Sequence, residues 1–391
     1  MFSIIAFISL SCSLLIPPAS LKPETPDDKT ISTRQVRTPA PQAALPDQNI
    51  LPRSLYYLSN VGSRNYQVWR VEQNGVTQHQ ITNEPDSVTE FTVSPVDGRV
   101  VYIANNDLVV IDAEGKGRSI LVDGAAVNEA ENSYHYQTKI SGLAWSPDGT
   151  RLAFGQNGIQ LYDFFSQSTQ TLNTNIVATL EDGGLSPVEL FFPHSWSPDS
   201  SHLLVNVSYL ESGSLSVLDI LTGLLTPFKG GTACCHPAWA NDGQSVFVAS
   251  SQLGLVSSGL WQYDLQDGGK TTLINEQSKN QTYNFVAHPF HHPNGDLYFF
   301  FGSTVVLPEN VVPLNITRAS SDELDKPVSL RPENFNIFEA LWAPLGESLV
   351  AVQYPLGEPS WPLAGPIILI DSNGAPVIPL SSNGYQIQWG P

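Results

Sequence analysis

Three histidines and two carboxylates stand at one level of a repeated phrase. His236, His288 and Glu339 each lie three residues before the aromatic or equivalent position of their own copy. Glu90 and Gln386 hold the same offset in the first and last copies, and His194 sits one place further along in its own. Imidazole and carboxylate groups converging on one axis could hold a divalent metal or an anionic ligand. The alternative is that they satisfy backbone groups where strands enter a shared opening. No short ligand motif decides between the two, because the intervals from His236 to His288 and on to Glu339 are 52 and 51 residues. The chemistry therefore depends on elements that could bring such distant residues to one place.

Those elements are written in the phrase itself. Its clearest copies are Leu143-Ala144-Trp145-Ser146-Pro147-Asp148-Gly149, followed by the apolar Leu152-Ala153-Phe154, and Ser195-Trp196-Ser197-Pro198-Asp199-Ser200, followed by Leu203-Leu204-Val205. Looser copies run from Phe91 to Gly98, Ala238 to Gly243, Phe290 to Gly295 and Leu341 to Gly346, and a half-copy, Gln388-Trp389-Gly390-Pro391, comes last. A strand ends at the large aromatic residue. Pro then presets a turn corner, Asp can bond its own backbone, and Gly accepts a positive φ. The chain returns as a second strand, a hairpin signal. Two more β-rich pieces follow: Gly158–Asp163 and Ser168–Leu172 after one copy, Ser214–Asp219 and Leu224–Phe228 after the next. Four strands per unit is the blade of a β-propeller.

Equivalent positions Val93, Trp145, Trp196, Trp239, His291, Trp342 and Trp389 are separated by 52, 51, 43, 52, 51 and 47 residues. Repetition at this period fixes the architecture ahead of any local reading. Ahead of the first phrase lie three strand-like pieces, Ser54–Leu58, Tyr66–Val71 and Gln78–Thr82, which lack an inner strand; Tyr385–Trp389 is an inner strand without followers. One blade shared between the two ends removes exposed sheet edges. The expectation is an all-β fold, a seven-bladed propeller of four-stranded antiparallel blades closed by the C-terminal strand, with six or eight as the neighbouring counts. No stretch carries the period of a long amphipathic helix.

The Ser-Pro-Asp phrases at 146–149 and 197–199 resemble the TolB-like family of propeller repeats, the WD-repeat-like units named for a Pro-Asp dipeptide after an aromatic residue. The resemblance covers roughly residues 54–391, and Val96, Asn294 and Leu345 depart from the motif. It implies a fold more than a function, since members include periplasmic accessory proteins, propeller halves of serine peptidases and polysaccharide lyases. The lyases use a manganese site at the propeller mouth, which would make His236, His288 and Glu339 metal ligands here, assisted by His194 or Gln386. The peptidases carry a hydrolase domain after the propeller; the closing strand at Trp389 leads us to expect none.

Residues 1–20 read as a secretory or lipoprotein signal: Ile4 to Ile16 is almost wholly apolar, too short to span a bilayer, and Cys12 is a candidate lipidation site. Residues 21–53 hold six prolines among polar residues and read as a disordered tether; 54–391 is the propeller domain. The net charge of −19 repels phosphate backbones and anionic lipid, leaving no nucleic-acid partner and membrane contact only through an anchor. Adjacent Cys234 and Cys235 would form only a strained vicinal disulfide and are more simply small apolar groups. There is no G-x-S-x-G elbow, phosphate loop or zinc-type cysteine cluster.

Two functions remain. One is an exported, non-catalytic monomer without a cofactor that binds an envelope protein, peptide or glycan through channel-mouth residues Glu90, His194, His236, His288, Glu339 and Gln386. Ala125–Gln137 and Val305–Pro332 are its candidate recognition loops. The other is a manganese-type lyase or hydrolase acting on an acidic polysaccharide, a substrate that an acidic surface attracts poorly.

Overall fold

The computed structural model describes residues 49–124, 135–181, 185–209, 212–231, 235–252, 256–278, 281–306, 312–320, 323–324, 326–354 and 364–391. The signal expected over residues 1–20, most of the tether and Cys12 lie outside them. Strands β1 (Leu55–Ser59), β2 (Gln67–Val71) and β3 (Gln78–Gln80) come first, then a sheet of β4 (Val88–Val93), β5 (Val100–Ala104), β6 (Asp107–Ile111) and β7 (Ser119–Val122). One helical turn, α1 (His135–Thr138), leads to β8 (Ser141–Trp145), β9 (Arg151–Gly155), β10 (Gly158–Asp163) and β11 (Ser168–Thr174). The next sheet has five strands: β12 (Ile176–Thr179), β13 (Leu185–Trp196), β14 (His202–Ser208), β15 (Gly213–Asp219) and β16 (Leu225–Pro227). Two four-stranded sheets follow, β17 (His236–Trp239), β18 (Ser245–Ser250), β19 (Gly259–Asp264), β20 (Lys270–Ile274) and β21 (Tyr283–His291), β22 (Leu297–Thr304), β23 (Leu314–Ala319), β24 (Val328–Phe335). The last strands are β25 (Ile337–Trp342), β26 (Ser348–Gln353), β27 (Gly365–Asp371) and β28 (Ile378–Trp389).

Two sheets depart from four strands. β13 is long enough to pair twice: its first half pairs with β12 (Ile176↔Glu189, Thr179↔Leu185) and its second with β14 (Leu190↔Ser208, Trp196↔Leu203). β28 is also divided. Ile378 to Gly384 pair with β27, while Tyr385, Gln388 and Trp389 pair with Leu58, Tyr56 and Leu55 of β1, joining seven strands into one sheet. The segment 305–332, read as a recognition loop, instead contains β23 and the start of β24. Its apolar and β-branched residues, Leu314, Ile316 and Thr317, are buried against the neighbouring strands, which makes them a sheet interior. Most of 125–137 lies outside the described residues.

The sheets pack face to face, which explains why second strands read as unbroken apolar runs. In β5, Val100, Tyr102 and Ala104 point to one side and join a cluster with Tyr56 and Leu58. Val101 and Ile103 point to the other and pack with Leu143, Trp145 and Phe154. This alternation is the period of a strand buried on both faces. Every β5 residue is at most 3% exposed, whereas every residue of β3 is exposed. Among the described residues there are seven such core clusters: six draw on two consecutive sheets, and the seventh, with Tyr57, Val71, Val350 and Ile367, lies within the seven-stranded sheet. The packed body starts slightly before Ser54: Ile50 and Leu51 donate backbone bonds to the Gln73 carbonyl, and Leu51 is buried.

The turns form as their residues dictate. Gly149 has φ 69° and donates its N–H to the Ser146 carbonyl at 2.9 Å, while Ser146 Oγ donates to Asp148 Oδ1 at 2.5 Å. In the next copy Ser197 Oγ donates to Asp199 at 2.6 Å, and bonds from Ser197 and Ser201 hold that carboxyl down to about 2.

Candidate functional site

The first strand of each copy of the phrase — β4, β8, β13, β17, β21, β25 and the second half of β28 — carries the residues singled out by spacing. All but β17 are bulged there. Register shifts fall between Val88 and Glu90, Ser141 and Ala144, Pro193 and Ser195, Ala287 and Phe290, and Ile337 and Glu339. On β28 the two residues Gln386 and Ile387 oppose Tyr57 alone. A bulge frees backbone N–H groups and re-aims side chains.

Two carboxylates take up the freed donors. Glu90 accepts the N–H groups of Gly142 at 2.9 Å and Leu143 at 2.5 Å. Glu339 repeats the arrangement with Gln386 at 2.8 Å and Ile387 at 2.7 Å. In each case the carboxylate reaches from one first strand to the next. Burial pushes both carboxyls up, Glu339 to about 7, against the lowering effect of these N–H donors.

The bulge needs left-handed backbone. Gly142 supplies it at φ 67°, and a Cβ there would stand 2.9 Å from the Pro193 carbonyl oxygen. The equivalent positions on β21 and β28 keep side chains: His288 has φ 50° and Gln386 φ 51°. Such backbone costs a non-glycine residue about 1–2 kcal/mol. Each also carries a buried polar atom without a hydrogen-bond partner, Nε2 of His288 and Oε1 of Gln386. His288 is 8% exposed, and the His236 ring lies over it with centroids 3.8 Å apart. Burial depresses both imidazoles, His236 to about 4 and His288 well below its ordinary range, where His236 adds repulsion. His194 shifts in the same direction, to about 4, yet its ring is exposed to solvent and pairs with Ser195 Oγ at 3.0 Å. That exposure limits the shift, so the two covered rings dominate.

The tryptophans of the phrase tie successive first strands together, which spacing alone did not reveal. Trp196 Nε1 donates to the Ala144 carbonyl at 2.8 Å and Trp239 Nε1 to Ser195 Oγ at 3.1 Å. Trp342 Nε1 donates to the His288 carbonyl at 3.0 Å and Trp389 Nε1 to the Trp342 carbonyl at 2.8 Å. From β28, Gln388 reaches β4: its amide donates to the Phe91 carbonyl at 3.0 Å and accepts from Val93 N–H at 3.1 Å.

Of the expected metal ligands, the structure brings His236 and His288 together and commits both oxygens of Glu339 to the backbone of β28. Among the described residues no three His, Cys, Asp or Glu side chains form a group that could hold a metal ion. Cys235 corrects its expectation: it is half-buried and disulfide-bonded, not a plain apolar filler.

Residues 55–174 match the family model described as the dipeptidyl peptidase IV (DPP IV) N-terminal region. No curated protein sequence matches the chain. Among solved structures, one reported as a structural and mechanistic analysis of two prolyl endopeptidases aligns with TM-score 0.55 and 12% identity over 87% of this chain and 49% of that chain. Oligogalacturonate lyase from Vibrio parahaemolyticus aligns with TM-score 0.53 and 12% identity over 84% of this chain and 86% of that chain. TolB from Acinetobacter baumannii aligns with TM-score 0.45 and 13% identity over 86% and 82%. TolB proteins and related propellers are among the structures it resembles, as the Pro-Asp phrases led us to expect, and the chain has an all-β fold of stacked antiparallel sheets of the propeller kind.

Proposed function

We propose that this chain is an exported propeller of seven blades, closed where β28 joins β1, that binds a partner in the cell envelope at the mouth lined by its bulged first strands. The seven core clusters, six between consecutive sheets and one within the seven-stranded sheet, support the count, and the bond from Gln388 back to β4 supports closure. Export rests on the apolar run from Ile4 to Ile16 and on the resemblance to TolB-like repeats, whose members include periplasmic accessory proteins.

One observation carries the binding role. At two of the three left-handed bulge positions the chain retains strained side chains, each with an unpartnered polar atom, where glycine would relieve the strain. Strain kept at a cost marks a site in use. The partner is an envelope protein, peptide or glycan, and the rigid stack of sheets holds the mouth in place. Affinity capture from envelope extract tests this, with the full chain as bait and a Gln386→Gly, His288→Asn double variant as control. The expected result is a partner retained by the wild type and lost by the variant. Identical capture by both would refute a role for the mouth.

A further inference from the structure

We propose that the end of the stack carrying the Pro-Asp turns rests on a lipid bilayer of zwitterionic headgroups, with Phe165 and Leu221 entering it as apolar tips.

These two are the most exposed large hydrophobic side chains among the described residues, at 97% and 94%. They hold the same place in successive copies. Phe165 lies two residues after Asp163 in the turn between β10 and β11, and Leu221 two residues after Asp219 in the turn between β15 and β16. Each aspartate ties its turn together: Asp163 accepts the N–H groups of Phe165 at 3.0 Å and Ser166 at 2.7 Å, and Asp219 accepts that of Thr222 at 2.7 Å. The residue before each tip, Phe164 or Ile220, packs against a core cluster. The turns are thus anchored from below, and their outermost apolar side chains are held in water.

Single exposed apolar residues are ordinary on a protein surface. Their distribution here is not. Strands alternate in direction, so the turns after the first and third strands of a copy share one end. Backbone bonds join them there: Phe164 N–H donates to the Thr150 carbonyl and Ile220 N–H to the Ser201 carbonyl, both at 3.0 Å. Neighbouring copies meet at the same end, where Arg151 donates to the Ser200 carbonyl at 2.9 Å and a Cβ on Gly149 would stand 2.8 Å from Val96. Of the large hydrophobics more than half exposed, Val76, Val96, Leu224, Val328 and Leu345 join the two tips at this end. Only Val305 and Val306, among the described residues, lie at the other. Side chains that project singly suit a fluid apolar phase, which accepts each without a matching pocket.

The preceding chain reaches the body at this end too. Ile50 and Leu51 donate to the Gln73 carbonyl in the turn between β2 and β3, and a Cβ on Gly75 of that turn would stand 2.3 Å from Ile50 Cδ1. Within residues 1–48 the run from Ile4 to Ile16 is almost wholly apolar. An apolar anchor and inserting side chains are each weak signals, and stable attachment takes two. Charge selects the lipid. Asp148, Asp163, Asp199 and Asp219 line these turns; they repel anionic headgroups and suit the ammonium of a zwitterionic one. Arg99 and Arg151 on the same strands are engaged over the rings of Phe164 and Trp196. The bulged starts of the first strands then face away from the bilayer.

The test is flotation of the full chain with vesicles of phosphatidylcholine and phosphatidylethanolamine, beside vesicles rich in phosphatidylglycerol. The wild type should float with the first and less with the second. Phe165→Ser combined with Leu221→Ser should weaken binding at least about tenfold, because each tip leaves water only in the lipid. The melting temperature should not change, since neither side chain packs on the fold. A Phe165→Trp variant reads the tip directly: bromine-labelled acyl chains should quench its fluorescence beyond that of the wild type. No flotation of the wild type, or no added quenching, overturns the proposal. Equal flotation of the double variant overturns it and assigns attachment to the N-terminal run alone. Self-association lost in the double variant, with flotation unchanged, overturns it in favour of a second copy of the chain. Preference for the phosphatidylglycerol vesicles overturns the choice of lipid.

Discussion

Glu339 holds Gln386 by its backbone: a carboxylate on β25 accepts that N–H at 2.8 Å and the next at 2.7 Å, so the C-terminal strand is seated by a side chain 47 residues upstream. Glu90 seats Gly142 in the same way. These carboxylates occupy the level at which sequence spacing suggested ligands, and they serve the frame of the site.

The Glu339 carboxyl titrates upward, to about 7 from an ordinary 4.5. A raised value means the folded state binds the proton more tightly. Its contribution to stability is therefore fully present below about 4.5 and is lost as pH rises through about 7. Thermal melts of the wild type and Glu339→Gln across this window provide the check. The wild type should lose ground to the variant as pH rises; a difference independent of pH would contradict the assignment.

His236 and His288 act in the opposite sense. Both are depressed by burial, His236 to about 4 from 6.5. The stability they confer is fully present above about 6.5 and is lost as pH falls toward 4. His236→Gln should flatten the dependence of melting temperature on pH in that range. An unaltered slope would mean that His236 is protonated freely in the folded protein.

Two tryptophans make a matched pair. Trp196 Nε1 donates to the Ala144 carbonyl at 2.8 Å, whereas Trp145 Nε1 is buried without a partner. Replacement by phenylalanine removes similar volume from both. Trp196→Phe should cost about 1 kcal/mol more than Trp145→Phe, the worth of one hydrogen bond. Equal costs in denaturant titration would show that the indole bond contributes nothing to the joint between sheets.

Removing Gly384–Pro391 takes away the half of β28 that pairs with β1. It also strips the acceptor set of Gln388 and the indole of Trp389. A broad, weakly cooperative melt is expected. A sharp transition like that of the intact chain would sink the proposal that this strand closes the fold.

The order of strands was legible in the sequence because sheet, turn and aromatic anchor recur together in each copy. Gly158–Asp163 is the same strand in both readings, and the Pro-Asp turns form as their residues require. β12 was missed: it is an addition to one copy, so no repeat predicts it. The loop read at 305–332 hid two strands because its copy of the phrase is the least regular. At the site, spacing placed Glu90, His236, His288, Glu339 and Gln386 at one level without saying what each would touch.

Local chemistry settled where strands begin and turn, since φ preference and hydrophobic alternation act over a few residues. Only the tertiary structure decided that Glu339 serves the backbone of Gln386, that His236 covers His288, and that two side chains keep left-handed backbone with polar atoms unpaired. These relationships join residues about one blade apart, and the geometry of a bulge, not the identity of the residue, determines which way each group faces.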